Sequence, residues 1–72
     1  MNWERDGEER VKGFTWGIVR VEKLRSYAPG HEWGIIIEIG DCVFWENTGH
    51  PTRLKALEIA NKMIKKLEEV PE

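Results

Sequence analysis

Residues 33–45 read Trp-Gly-Ile-Ile-Ile-Glu-Ile-Gly-Asp-Cys-Val-Phe-Trp, two apolar runs separated by Gly40-Asp41. Runs rich in β-branched and aromatic residues on either side of a two-residue turn predict an antiparallel hairpin, with Gly40 supplying the positive φ that the turn needs. The turn also sets the register. Counting outward places Ile39 opposite Cys42, Ile37 opposite Phe44 and Ile35 opposite Glu46 on one face. On the other face Glu38 lies opposite Val43 and Ile36 opposite Trp45. The first face, which also carries Trp33, is the richer in apolar groups and is expected to meet the core. The second face keeps Ile36, Val43 and Trp45, large groups for a surface open to water.

C-terminal to the hairpin, Asn47-Thr-Gly-His-Pro51 is turn chemistry, and Pro51 suits the first position of a helix because its missing N–H has no partner there. On a helical wheel Ala56, Leu57, Ala60, Met63, Ile64, Leu67 and Val70 share one side, while Lys55, Glu58, Lys62, Lys65, Lys66 and Glu69 share the other. This predicts an amphipathic helix stopped by Pro71. Leu54 falls off the apolar stripe.

N-terminal to the hairpin, the segment from Gly13 to Leu24 is rich in aromatic and β-branched residues and predicts one strand, followed by a loop at Arg25-Ser-Tyr-Ala-Pro-Gly-His31 with its Pro-Gly turn signal. Residues 1–12 are polar and mixed in charge, with Trp3 their one strong apolar group, and are expected to form a flexible arm. The expected fold is therefore a single two-layer α+β domain over residues 13–70, ordered β-β-β-α, with a three-stranded antiparallel sheet and one C-terminal helix packed on one face.

Seventy-two residues bound one small core, which buries only about 60% of the surface that the unfolded chain exposes. Cys42 is the only cysteine, so an internal disulfide is impossible, and a lone thiol suits a reducing, cytoplasmic setting. No apolar run approaches the ~18 residues that span a bilayer, so no membrane partner is expected. The formal net charge is −2, and residues 32–47 carry Glu32, Glu38, Asp41 and Glu46 without a single Lys or Arg. Extended contact with a phosphate backbone needs a net basic face, so this balance disfavours nucleic acid as a partner.

The hairpin followed by Asn47-Thr-Gly-His-Pro-Thr-Arg-Leu-Lys-Ala-Leu-Glu-Ile-Ala60 resembles the C-terminal half of a double-stranded RNA-binding domain, and equally the small phage-type proteins of β-β-β-α layout. The resemblance covers roughly residues 14–70 and implies the fold. It departs from the RNA-binding family in two places: no helix precedes the first strand, and the family's lysine cluster at the start of the last helix is reduced to Arg53 and Lys55.

Chemistry-bearing groups are few. His31, Cys42 and His50 include metal-ligand types but lack a ligand spacing, and His50 beside Glu46 is the one candidate base and orienter, without a nucleophile motif or a phosphate-cradling glycine loop. No enzyme activity, metal, cofactor or small-molecule substrate is expected. Tryptophan is the anomaly. Four indoles among 72 residues exceed what one helix can roof, because each aromatic buries about 150–250 Å².

The expected function is thus a non-enzymatic interaction domain, regulatory or inhibitory, that binds a protein partner or a second copy of itself. Its Trp-rich sheet face would be made by Trp16, Ile36, Val43 and Trp45, with Glu38 and Glu46 as an acidic rim. The alternative is a nucleic-acid-binding module that uses Arg20, Lys23, Arg25, Arg53, Lys55, Lys62 and Lys66.

Overall fold

The computed structural model describes residues 3–25, 27–46 and 48–69. These residues fold as an α+β domain in which five antiparallel strands and one C-terminal helix follow in order: β1 Glu4–Asp6, β2 Glu9–Phe14, β3 Gly17–Lys23, β4 Trp33–Ile39, β5 Cys42–Trp45 and α1 Arg53–Glu68. The sheet is a meander in which each strand lies beside its neighbours in sequence, β1-β2-β3-β4-β5.

The expected hairpin is present in the expected register: Ile39 pairs with Cys42, Glu38 with Val43, Ile37 with Phe44 and Ile36 with Trp45. Gly40 has φ +58° and Asp41 stays at negative φ, the φ pattern of a type II′ turn, whose twist suits a two-residue hairpin.

Two differences raise the strand count from three to five. First, the segment 13–24 is not one strand. It turns at Thr15-Trp16, so that Phe14 pairs with Gly17 and Gly13 with Ile18. A side chain at position 17 has no room, because its Cβ would run into the carbonyl of Glu38. Second, residues 1–12, expected as an arm, supply β1 and most of β2, with Glu4 opposite Val11 and Asp6 opposite Glu9 around Gly7 at φ +62°. β1 is an edge strand exposed at all three positions, so its charged residues carry no burial pattern that a sequence could display.

Helix α1 lies over β3 and β4. Ala56, Ala60 and Ile64, one turn apart, meet Val19, Val21 and Ile35, with Trp3, Phe14, Trp33, Ile37, Leu57, Ile59 and Met63 packed around them. The alanines let the helix approach closely, and each fully buried Val or Ile contributes about 1.5–3 kcal/mol. The helix begins two positions later than Pro51 implied, at Arg53. Thr52 is the N-cap, accepting from the Lys55 N–H at 3.1 Å, and Lys65 and Lys66 lie in the last turn beside the negative end of the helix dipole. Val70 and Pro71, expected to complete the helix and stop it, and Asn47 of the preceding turn lie outside the described residues.

Candidate functional site

The covered and uncovered aromatics separate by strand. Trp3 and Lys12 flank the helix on the β2 side, where the Trp3 indole donates to the Asn61 side chain at 3.2 Å and the Lys12 ammonium stands 5.8 Å from the Trp3 ring. At the C-terminal end of the helix the Trp16 indole donates to the Leu67 carbonyl at 3.2 Å. Trp33 is stacked by the Arg53 guanidinium at 4.7 Å. Three indoles are thus packed on the helix side. Trp45 is not: it is 56% exposed.

The expected face of Trp16, Ile36, Val43 and Trp45 is therefore divided. Trp16 belongs to the β2–β3 turn and the helix C-terminus, so it does not join the patch. Ile36 does share a face with Trp45 but is only 4% exposed. Its neighbourhood is covered by the loop after β3, because the Tyr27 ring lies over Gly34 and Gly49 and its hydroxyl donates to the Glu46 carbonyl. Burial pushes the Tyr27 hydroxyl pKa up, and the Glu46 carboxylate adds to the shift.

The acidic rim is also engaged. Glu38 takes the Arg20 guanidinium at 2.6 Å, and Arg20 reaches Glu9 at 3.7 Å on its other side. The ladder Glu9–Arg20–Glu38 crosses β2, β3 and β4 on the face away from the helix, giving that face a polar centre where an apolar one was expected. The hydrogen bond with Glu38 holds the Arg20 pKa above its ordinary value against the desolvation that opposes it. Glu46 contacts the His50 ring, so the expected pair forms, and it closes the segment that returns His50 to the sheet edge beside Trp33.

What stays open is β5. All four of its residues, Cys42, Val43, Phe44 and Trp45, are exposed, with Val43 at 50%, Phe44 at 53% and Trp45 at 56%. Cys42 and Phe44, expected in the core because they share the face of Ile35 and Ile37, are uncovered because α1 sits over β3 and β4 and stops short of the edge. Phe44 was missed as a surface residue because alternation reports which face a side chain takes and not how far the roof extends.

Backbone polarity follows from one bond. The Glu46 N–H donates to the Ile35 carbonyl at 3.1 Å, so Glu46, Phe44 and Cys42 point their N–H and C=O groups toward β4. Val43 and Trp45 point theirs outward. The edge thus offers two donors and two acceptors, flanked by apolar side chains on both faces.

The basic residues of the alternative do not share a surface. Arg20 is on the face away from the helix and salt-bridged, whereas Lys55, Lys62 and Lys66 lie on the exposed side of α1. Lys23 and Arg25 line a shallow cavity of about 370 Å³ together with Glu8 and Glu32, so its charge balances. Arg53 is held between Trp33 and the Glu8 carbonyl. Sequence reading overlooked Arg5 and Arg10, which face each other across β1 and β2, and burial lowers the Arg10 pKa with Arg53 and Arg5 adding to the effect.

Among the described residues no three His, Cys, Asp or Glu side chains gather as a metal site, and no helix is long and apolar enough to cross a membrane. Comparison of the chain with family models, with curated proteins and with solved structures finds no match.

Proposed function

We propose that this protein is a non-enzymatic interaction module that works by strand addition at β5. An extended segment of a protein partner would hydrogen-bond to the outward N–H and C=O groups of Val43 and Trp45, which supply affinity independent of sequence. Its side chains would alternate between Phe44 on the helix face and the Val43–Trp45 pair on the other, which supply selectivity. Regulation or inhibition follows by occlusion, because a partner segment held as a sixth strand is withdrawn from its other contacts.

The observation that carries this reading is the contrast between the two edges of one sheet. β1 is three residues long and wholly charged, a guarded edge, whereas β5 is uncharged and apolar throughout and contains no proline. An apolar edge exposed on both faces is a liability that a free-standing domain would blunt, and a strand-binding domain needs it.

The test is a selection from a library of extended peptides with the wild-type chain and with Val43→Pro. Proline at 43 removes an outward N–H and no bond to β4, so the fold is retained and strand addition is blocked. Peptides held by the wild type and lost by Val43→Pro are the expected outcome; peptides held equally by both overturn the reading.

A further inference from the structure

We infer that the strand β5 receives is the β5 of a second copy of this chain, paired antiparallel about a two-fold axis that passes beside Phe44. The inference rests on the strand-addition reading above and names the occupant.

Self-complementarity comes from spacing. The outward-pointing residues are Val43 and Trp45, two positions apart, and Phe44 between them points its backbone groups to its own sheet. When two such strands run antiparallel, Val43 of one copy faces Trp45 of the other as a hydrogen-bonded pair. The converse pair forms on the far side of the axis, and the two Phe44 residues meet as a non-hydrogen-bonded pair. All four outward backbone groups of each copy are then satisfied by the same four of the other. Slipping by one residue would set Asp41 against Glu46, and it would also oppose each outward-pointing residue, Val43 or Trp45, with one whose backbone groups point into its own sheet, so no ladder bonds form. Slipping by two residues either draws Asp41 of the turn into the ladder or runs past the end of β5 at Trp45. The Phe44-centred register alone is built from strand residues, and in it Glu46 faces Cys42 and no carboxylate faces another.

The side chains agree on both faces. On one, Trp45 of each copy lies against Val43 of the other, the aromatic with β-branched pairing that stabilises adjacent strands. On the other, the two Phe44 rings lie in a trough between two helices that stand on the same side of a ten-stranded sheet. With strands about 4.8 Å apart and each helix over β3 and β4, the helix axes are roughly 19 Å apart. Asn61 and Glu68 occupy the flank of α1 that turns toward Trp3 and Thr15, so Ile59 and Met63, on the opposite flank of the Ala56-Ala60-Ile64 line, turn toward this trough.

The guarded edge determines where assembly ends. Pairing β5 with β1 of another copy would lay Glu4, Arg5 and Asp6 along Val43, Phe44 and Trp45 and would leave free edges to propagate. Pairing β5 with itself leaves two charged β1 edges outermost, and the assembly closes at two. The half-exposed Phe44 and Trp45 imply an interface of several hundred Å², below the ~1,200 Å² of stable complexes, so the dimer exchanges and depends on concentration.

Sedimentation of the full chain at roughly 10 μM to 1 mM is the test. The expected result is a reversible monomer–dimer equilibrium in the wild type that shifts at least tenfold toward monomer in Val43→Pro. Phe44→Glu, which sets two carboxylates face to face on the axis and covers the case in which the proline variant fails to fold, is expected to give the same shift. In a Cys42→Ser background, mild oxidation is expected to cross-link Phe44→Cys as a dimer and not Trp45→Cys. A single-chain mass at every concentration, a dimer that survives both edge variants, or cross-linking at position 45 in place of 44 overturns the inference. A monomeric wild type that still selects peptides in a Val43-dependent manner removes the second copy as occupant and leaves the strand-addition reading standing. Loss of both self-association and peptide selectivity removes the two together.

Discussion

The Trp16 indole N–H donates to the Leu67 carbonyl at 3.2 Å, joining the β2–β3 turn to one of the last carbonyls of α1, which have no partner within the helix. Trp16 is thereby a structural residue. Trp16→Phe keeps the aromatic packing and loses the bond, so it is expected to cost about 0.5–1.5 kcal/mol. For a domain of this size that is a fall in Tm of very roughly 4–8 °C per kcal/mol. Peptide selection at β5 is expected to be unchanged. A variant that melts like the wild type but no longer associates would return Trp16 to the binding surface.

The same end of the helix carries an acid-sensitive contact. Glu68 accepts from the Thr15 N–H at 2.9 Å and from the Thr15 hydroxyl, and these bonds hold its carboxyl below the usual carboxylate range. A depressed folded-state pKa contributes stability that is complete above the unfolded value near ~4.3 and is lost as pH falls through the folded value. The wild type is therefore expected to lose stability below about pH 4.5 more steeply than Glu68→Gln, which has no proton to gain. Melting curves at pH 7 and through the acid range check this; parallel acid limbs in the two chains would contradict it.

What the sequence showed and what it concealed follow from how burial writes itself into a chain. The β4–β5 hairpin was legible because Gly40-Asp41 fixes a register once two apolar runs flank it: four of the five pairs counted from that turn are in the ladder, and beyond its end the Glu46 N–H still bonds to the Ile35 carbonyl. The helix was legible because Ala56, Ala60 and Ile64 repeat at its period. β1 left no burial trace, since an edge strand exposed at Glu4, Arg5 and Asp6 has no buried side to alternate with; Gly7-Glu8, a two-residue turn with glycine first, was the one available signal. The turn at Thr15-Trp16 uses no positive φ and so carries no glycine to announce it. Of the expected site, Val43 and Trp45 stand on the open edge. Ile36 and Trp16 were misplaced because their covers, the Tyr27 loop and the helix C-terminus, come from distant sequence.

That Tyr27 cover has its own test. The ring lies directly over Gly34, where a Cβ would collide with it, and over Gly49. Gly34→Ala is expected to displace Tyr27, break its bond to the Glu46 carbonyl and expose Ile36, at a cost of about 1–3 kcal/mol. Proton exchange would register it as faster exchange at Trp33 and His50, whose backbones bond reciprocally just beneath the loop. A Gly34→Ala chain as stable as the wild type would mean that Tyr27 is not held against the sheet.

Ile35 and Phe44 occupy the same face of the sheet on adjacent strands, yet Ile35 has no exposed surface and Phe44 is 53% exposed. Ile35→Ala removes packing from the centre of the core beneath Ala56 and Ala60 and is expected to cost about 2–5 kcal/mol, a large share of the stability of so small a domain. Phe44→Ala, measured at a few micromolar where the chain is monomeric, is expected to cost under about 1 kcal/mol, because most of what it removes already faces water. At high concentration the order of consequences reverses for assembly: a folded Phe44→Ala chain is expected to lose the paired rings at the axis, while any Ile35→Ala molecules that remain folded keep them. Urea titrations at two protein concentrations separate the cases. If Phe44→Ala is as destabilising as Ile35→Ala at low concentration, α1 roofs β5 as well, and the edge is part of the core.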